Sequence, residues 1–98
     1  MTIDKTINGD SAVVALTGRL DTTTSPDLEA ALKDVIGTAK FVDFDFSNLE
    51  YISSAGLRVL LATHKALSAN GKLTIKNVND TVKEVFEITG FSDILNIE

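Results

Sequence analysis

Asp45-Phe46-Ser47-Asn48-Leu49-Glu50-Tyr51-Ile52-Ser53-Ser54-Ala55-Gly56-Leu57 is the stretch on which the fold turns. On its amino-terminal side, Val42, Phe44 and Phe46 alternate with Phe41, Asp43 and Asp45, which is the period of a strand over 41–46. On its carboxyl side, Leu57, Leu60, Leu61 and Leu67 recur at helical spacing, from about Ala55 to Ala69. Between them, Ser47 to Ser54 reads as a connection. A strand that runs into a helix through two serines is half of a β-α-β unit. Such units imply parallel strands joined by right-handed crossovers.

The flanking sequence completes the pattern. Residues 2–7 read as an edge strand with Ile3 and Ile7 on one side, and Asn8-Gly9-Asp10 is a hairpin turn. Ala12 to Leu16 is an uninterrupted apolar run, the pattern of a strand covered on both faces. Ser25 and Pro26 start a helix, as cap and first residue, with Leu28, Ala31, Leu32 and Val35 inward and Gly37 as the stop. Asn70-Gly71 ends the second helix, and Lys72 to Lys76 is a short strand. Asp80 can cap a third helix bearing Val82, Val85, Phe86 and Thr89 on one face. Gly90 is its left-handed terminator, with Phe91 packing back. The apolar tail, Ile94, Leu95 and Ile97, docks on the core. The expected fold is α/β: a small mixed sheet with an N-terminal hairpin, then parallel β-α-β-α-β strands with helices packed on it. Two loops, Gly18 to Ser25 and Ser47 to Gly56, then meet at the carboxyl edge of the sheet, where such folds place their sites.

The chain has 98 residues and no cysteine, enough for a single domain over 1–98 and one core. Disulfides and cysteine-ligated metals are excluded. Nine cationic side chains against 14 carboxylates give a net charge of -5. An acidic chain without a basic run is a poor ligand for nucleic acid, whose backbone is held by cations. No stretch has the length of a membrane span, and Met1 to Asp10 lacks the order of a secretion signal, so a cytoplasmic protein with no membrane insertion is expected.

Enzymatic chemistry finds few residues to perform it. The sole histidine, His64, lies roughly 15 Å along the helix from Ser54, too far to act as its base. Asp43 and Asp45 share a strand face but have no third ligand nearby, and they read as surface residues. Asn79-Asp80-Thr81 matches a glycosylation sequon by chance. No phosphate-cradling glycine motif is present. No metal and no cofactor is expected. Ser53 and Ser54, at a helix start, have a plain capping role open to them. The same geometry also suits phosphorylation: free N–H groups and the helix dipole stabilise a phosphate there. It would bring about -1.5 to -2 units of charge.

Gly18-Arg19-Leu20-Asp21, Asp45-Phe46-Ser47 and Ile52-Ser53-Ser54-Ala55-Gly56-Leu57-Arg58-Val59-Leu60-Leu61 together resemble the STAS domain. Asn70-Gly71-Lys72-Leu73 and Val85-Phe86-Glu87-Ile88-Thr89-Gly90-Phe91 extend the resemblance, in order, over essentially the whole chain. It implies a bacterial anti-sigma-factor antagonist rather than an enzyme. Such a protein binds an anti-sigma factor that is also a serine kinase, is released when phosphorylated, and is restored by a PP2C-type phosphatase. By position, the resemblance places the phosphoacceptor at Ser54, with Ser53 as second choice. Many antagonists have aspartate where Ser53 stands. It places Asp21 beside the acceptor, and Thr22, Ser53, Ala55, Gly56, Leu57 and Arg58 in the partner surface. Asp43 departs from the pattern, at a strand position that is usually apolar. The alternative is a STAS scaffold subunit of a lipid-transport ATPase complex, never phosphorylated. An adjacent transporter ATPase gene would favour it, and an adjacent serine-kinase gene the antagonist.

Overall fold

Asn8 and Ser11 face each other across the predicted turn, with Gly9 at φ +63°, in a computed structural model that describes residues 1–98. The turn joins β1 (Thr2–Asn8) to β2 (Ser11–Leu20), which pair antiparallel. Then follow α1 (Ser25–Thr38), β3 (Phe41–Ile52), α2 (Ser54–Leu67), β4 (Lys72–Lys76) and α3 (Asp80–Thr89). A 3-10 turn, Phe91–Asp93, leads to β5 (Asn96–Ile97). The sheet order is β1-β2-β3-β4-β5, and every pair after the first is parallel. This is the expected mixed α/β sheet with one addition. The tail docks by becoming a strand, with Ile75 opposite Ile97 and the Glu98 amide bonded to the Ile75 carbonyl at 2.8 Å. Two residues are too few to show a strand period in sequence.

The crossovers all step the same way across the sheet. With one hand of crossover, that puts every helix on one face. Burial follows: Ala12, Val14 and Leu16 are buried, while Val13 is 45% exposed. The expectation that Ala12 to Leu16 is covered on both faces is therefore corrected. The run is apolar, but only alternate residues reach the core. The covered face carries Val42, Phe44, Phe46, Leu73 and Ile75, against Leu28, Leu32 and Val35 of α1 and Leu57 and Leu60 of α2. Phe86 of α3 stacks on Phe46 at 6.5 Å between ring centroids. The open face carries Asp43, whose carboxylate lies 3.4 Å from Lys76 Nζ. An uncovered face explains a carboxylate in that strand.

Strand β3 runs six residues beyond its predicted end. Buried side chains fall at Val42, Phe44 and Phe46, then at Leu49 and Ile52. Each later step of three contains one extra residue. Between Ala15↔Asp45 and Thr17↔Asn48, β2 advances two residues and β3 three; between Gly18↔Leu49 and Arg19↔Tyr51, one and two. These bulges break the period by which a strand is recognised. They also carry the strand to the serines.

The helix ends need three corrections. Ser25 is not the cap of α1; it is the first helical residue and buried, and Thr24 occupies the cap position without a side-chain bond to the helix's first turn. Asn79, not Asp80, caps α3: its Oδ1 accepts from the Val82 amide at 2.8 Å while its Nδ2 donates to the Leu49 carbonyl at 2.7 Å. Gly37 does not stop α1, which runs on to Thr38 and closes with Ala39 N–H donating to the Val35 carbonyl. Gly90 is left-handed at φ +81°, as expected. Phe91 packs against the core from its edge.

Candidate functional site

Leu20 and Ile52 pair at the carboxyl ends of β2 and β3, and the Ser53 amide donates to the Leu20 carbonyl at 2.9 Å. Asp21 and Ser53 therefore leave neighbouring strands side by side. The two loops meet at the edge where they were expected.

The first loop is closed by its own side chains. Asp21 Oδ1 accepts from the Thr23 hydroxyl at 2.7 Å, the Thr23 amide at 3.0 Å and the Thr24 amide at 3.2 Å. Thr24 Oγ1 accepts from the Asp21 amide at 2.8 Å and donates to the Arg19 carbonyl at 2.9 Å. Ser25 Oγ donates to the Asp21 carbonyl at 2.6 Å. Together these bonds satisfy amides that precede the first turn of α1. They hold the Asp21 carboxyl below its ordinary pKa. The Thr23 hydroxyl is the largest cause, partial burial works against it, and the amides of Thr24 and Thr23 add to it. Asp21 is thus a fixed anion at the sheet edge, with Thr22 exposed beside it.

The second loop separates the two serines. Ser53 stands at the cap position of α2 but makes no cap bond; its Oγ is buried and has no partner. Ser54 is the first helical residue and is exposed. The first backbone bond of α2 runs from the Leu57 amide to the Ser53 carbonyl at 3.0 Å. The amides of Ser54, Ala55 and Gly56 have no acceptor inside the helix. This helix start is left uncapped, whereas Asn79 caps α3.

Two residues expected in the partner surface point inward. Gly56 and Leu57 are buried. A Cβ on Gly56 would lie 2.7 Å from Leu20 Cγ and 2.9 Å from Ile52 Cγ1, so the missing side chain lets α2 sit on the strand ends. Leu57 belongs to the core. Both therefore lie beneath the surface expected there, and neither presents a side chain to it. Ala55 is half-buried and Arg58 exposed. With Thr22, they line a groove of about 490 Å³ between α1 and α2.

Other candidates fall elsewhere. His64 is in the fourth turn of α2's fourteen residues, away from the serines, and half-buried. Asp45 is held apart from Asp43: Asn77 Nδ2 and the Ser47 amide each donate to its Oδ1 at 3.0 Å. Those contacts, Asn77 first, lower its pKa. One feature at the edge had no signal in the spacing. The Arg19 guanidinium lies 4.4 Å from the centre of the Tyr51 ring, a cation–π contact made by cross-strand register alone. No helix is long and apolar enough to cross a membrane.

The STAS domain model matches residues 2–98. The anti-sigma-B factor antagonist of Staphylococcus aureus is 34% identical over 99% of this chain and 92% of its own length. Among solved structures, an anti-sigma factor antagonist from Mycobacterium paratuberculosis superposes with a TM-score of 0.89, at 24% identity, over 98% of this chain and 83% of its own. The antagonist SpoIIAA superposes in its unphosphorylated form with a TM-score of 0.78, at 20% identity, over 99% of this chain and 87% of its own. Its phosphorylated form gives 0.77, at 21% identity, over 99% and 91%. Sequence match and architecture agree: the chain belongs to the STAS family, among its anti-sigma factor antagonists.

Proposed function

We propose that this protein is a switchable antagonist controlled by phosphate on Ser54. Unphosphorylated, it binds an anti-sigma factor that carries serine kinase activity and so releases a sigma factor. Phosphorylation of Ser54 ends the complex, and a PP2C-type phosphatase restores it. The proposed setting is the cytoplasm.

The observation that carries this reading is the contrast between the two serines. Ser54 offers an exposed hydroxyl on the first residue of a helix whose leading amides lack caps. A phosphate there is favoured by those N–H groups and by the dipole. Ser53, one residue earlier, has its oxygen shut inside. Asp21, fixed in the adjoining loop, supplies an anion that a partner's cation can read. The relative SpoIIAA is known in both forms, which supports a phosphate switch on this fold.

The test is incubation with the cognate kinase and ATP, read by intact-mass and peptide mass spectrometry. One phosphate on Ser54 is expected, with none on Ser54→Ala and weakened binding by Ser54→Asp. Modification that persists in Ser54→Ala overturns the assignment.

A further inference from the structure

The groove between α1 and α2 reverses the sign of the molecule. Its apolar wall is made by Ile36, Val59 and Ala62. Its charged lining is Lys33, Arg58 and Glu29. Two cations against one carboxylate leave the groove one positive charge, on a chain whose net charge is -5. Neither cation is engaged. The ion pairs of the structure are Lys5 with Asp34 and Lys76 with Asp43, and both Lys33 and Arg58 are exposed. At about 490 Å³ the groove is within the range of sites that hold a ligand group. It is continuous with the edge built around Ser54, because Thr22 and Ala55 belong to both.

We propose that this groove seats an apolar segment of the anti-sigma partner that carries a carboxylate, received by Arg58 and Lys33. The proposal rests on the functional reading above, and it assigns the partner's chemistry. Charge argues for an acidic segment over a basic one. The apolar wall argues for a side chain inserted beside that charge, as interface anchors are. It also gives the switch a local mechanism. Ser54 and Arg58 are four residues apart on α2, so they are neighbours on the helix surface. A phosphate on Ser54 is within reach of the Arg58 guanidinium, which prefers a dianionic phosphate to a carboxylate. The modification then occupies the cation that the partner needs and turns the groove negative.

The test is the affinity of the purified anti-sigma kinase for the unphosphorylated full chain, by calorimetry at low and at physiological salt. Arg58→Glu and Lys33→Glu are each expected to weaken binding about tenfold, more at low salt. Glu29→Lys is expected to tighten it a few-fold, a gain that misfolding cannot produce. Asp4→Lys, on β1, and Lys72→Glu, at the start of β4, both lie outside the groove lining, make equal charge changes and should leave affinity within about twofold. Groove variants that bind like the wild type overturn the proposal, as does an equal response to the Asp4 and Lys72 variants. Wild-type protein that binds no anti-sigma kinase overturns the functional reading itself and this proposal with it. Loss of the Ser54 phosphate assignment alone leaves these affinities as they are.

Discussion

Ser53 and Ser54 differ by one position and present opposite chemistry. A serine at a helix start ordinarily accepts a bond from the first turn, and its replacement by alanine costs about 1 kcal/mol. Ser53 accepts none, and its hydroxyl is buried without a partner. A buried unpaired polar group destabilises by about 1–3 kcal/mol. Ser53→Ala should therefore leave stability unchanged or raise it by up to about 1 kcal/mol in urea titration. A clear loss would mean that the hydroxyl caps the helix after all. Asp21 gives a second residue-scale prediction, in the acid range. Its folded-state pKa is held below the ordinary 3.8. The linked stability is thus fully present above that value and is lost as pH falls through the lower folded-state value. Asp21→Ala should be less stable than the wild type at neutral pH. Its deficit should shrink once the pH drops below 3.8. A deficit that stays constant through the acid limb would rule out the carboxylate as its source.

At the scale of elements, the site depends on how closely α2 approaches the strand ends. Gly56 permits that approach, because Leu20 and Ile52 occupy the space where a Cβ would stand. Gly56→Ala combines a favourable helix propensity with a clash in a packed contact, and the clash dominates. The expected loss is about 1–3 kcal/mol, measured by thermal or urea denaturation. Because the helix start would shift away from Leu20, the phosphorylation proposed for Ser54 should slow as well. A variant as stable as the wild type would show that α2 can slide without cost. The two bulges in β3 act at the same scale. They keep Leu49 and Ile52 facing the core while the strand bends toward the edge.

For the whole molecule, one-sided winding is the governing fact. The helices share a face, so the sheet has a packed side and a wet side. Phe44 and Phe41 test this directly, three residues apart on one strand. Phe44 is fully buried and Phe41 is 48% exposed. Phe44→Ala should cost about 3–5 kcal/mol. Phe41→Ala should cost about 1 kcal/mol or less, read by the same denaturation curves. Equal losses would mean that something covers the second face. The open side also accounts for Asp43 and Asp45 inside an apolar strand, each with a partner at the surface.

The order of elements, the hairpin turn, the left-handed end of α3 and the two loops at the sheet edge were legible in sequence. Each is written in local signals: period, turn residues, or glycine at positive φ. The helix cap at Asn79 was missed by one residue, because Asn and Asp both suit the position and only the Leu49 carbonyl chooses between them. The extension of β3 was illegible because its bulges replace a period of two by steps of three. β5 was too short to carry any period. Sequence by itself determined the fold class and the place of the serines. Tertiary structure alone decided which serine is exposed, that Gly56 and Leu57 face inward, and which face of the sheet stays open. Those outcomes depend on crossover hand and on neighbours distant in the chain, and no local pattern encodes them.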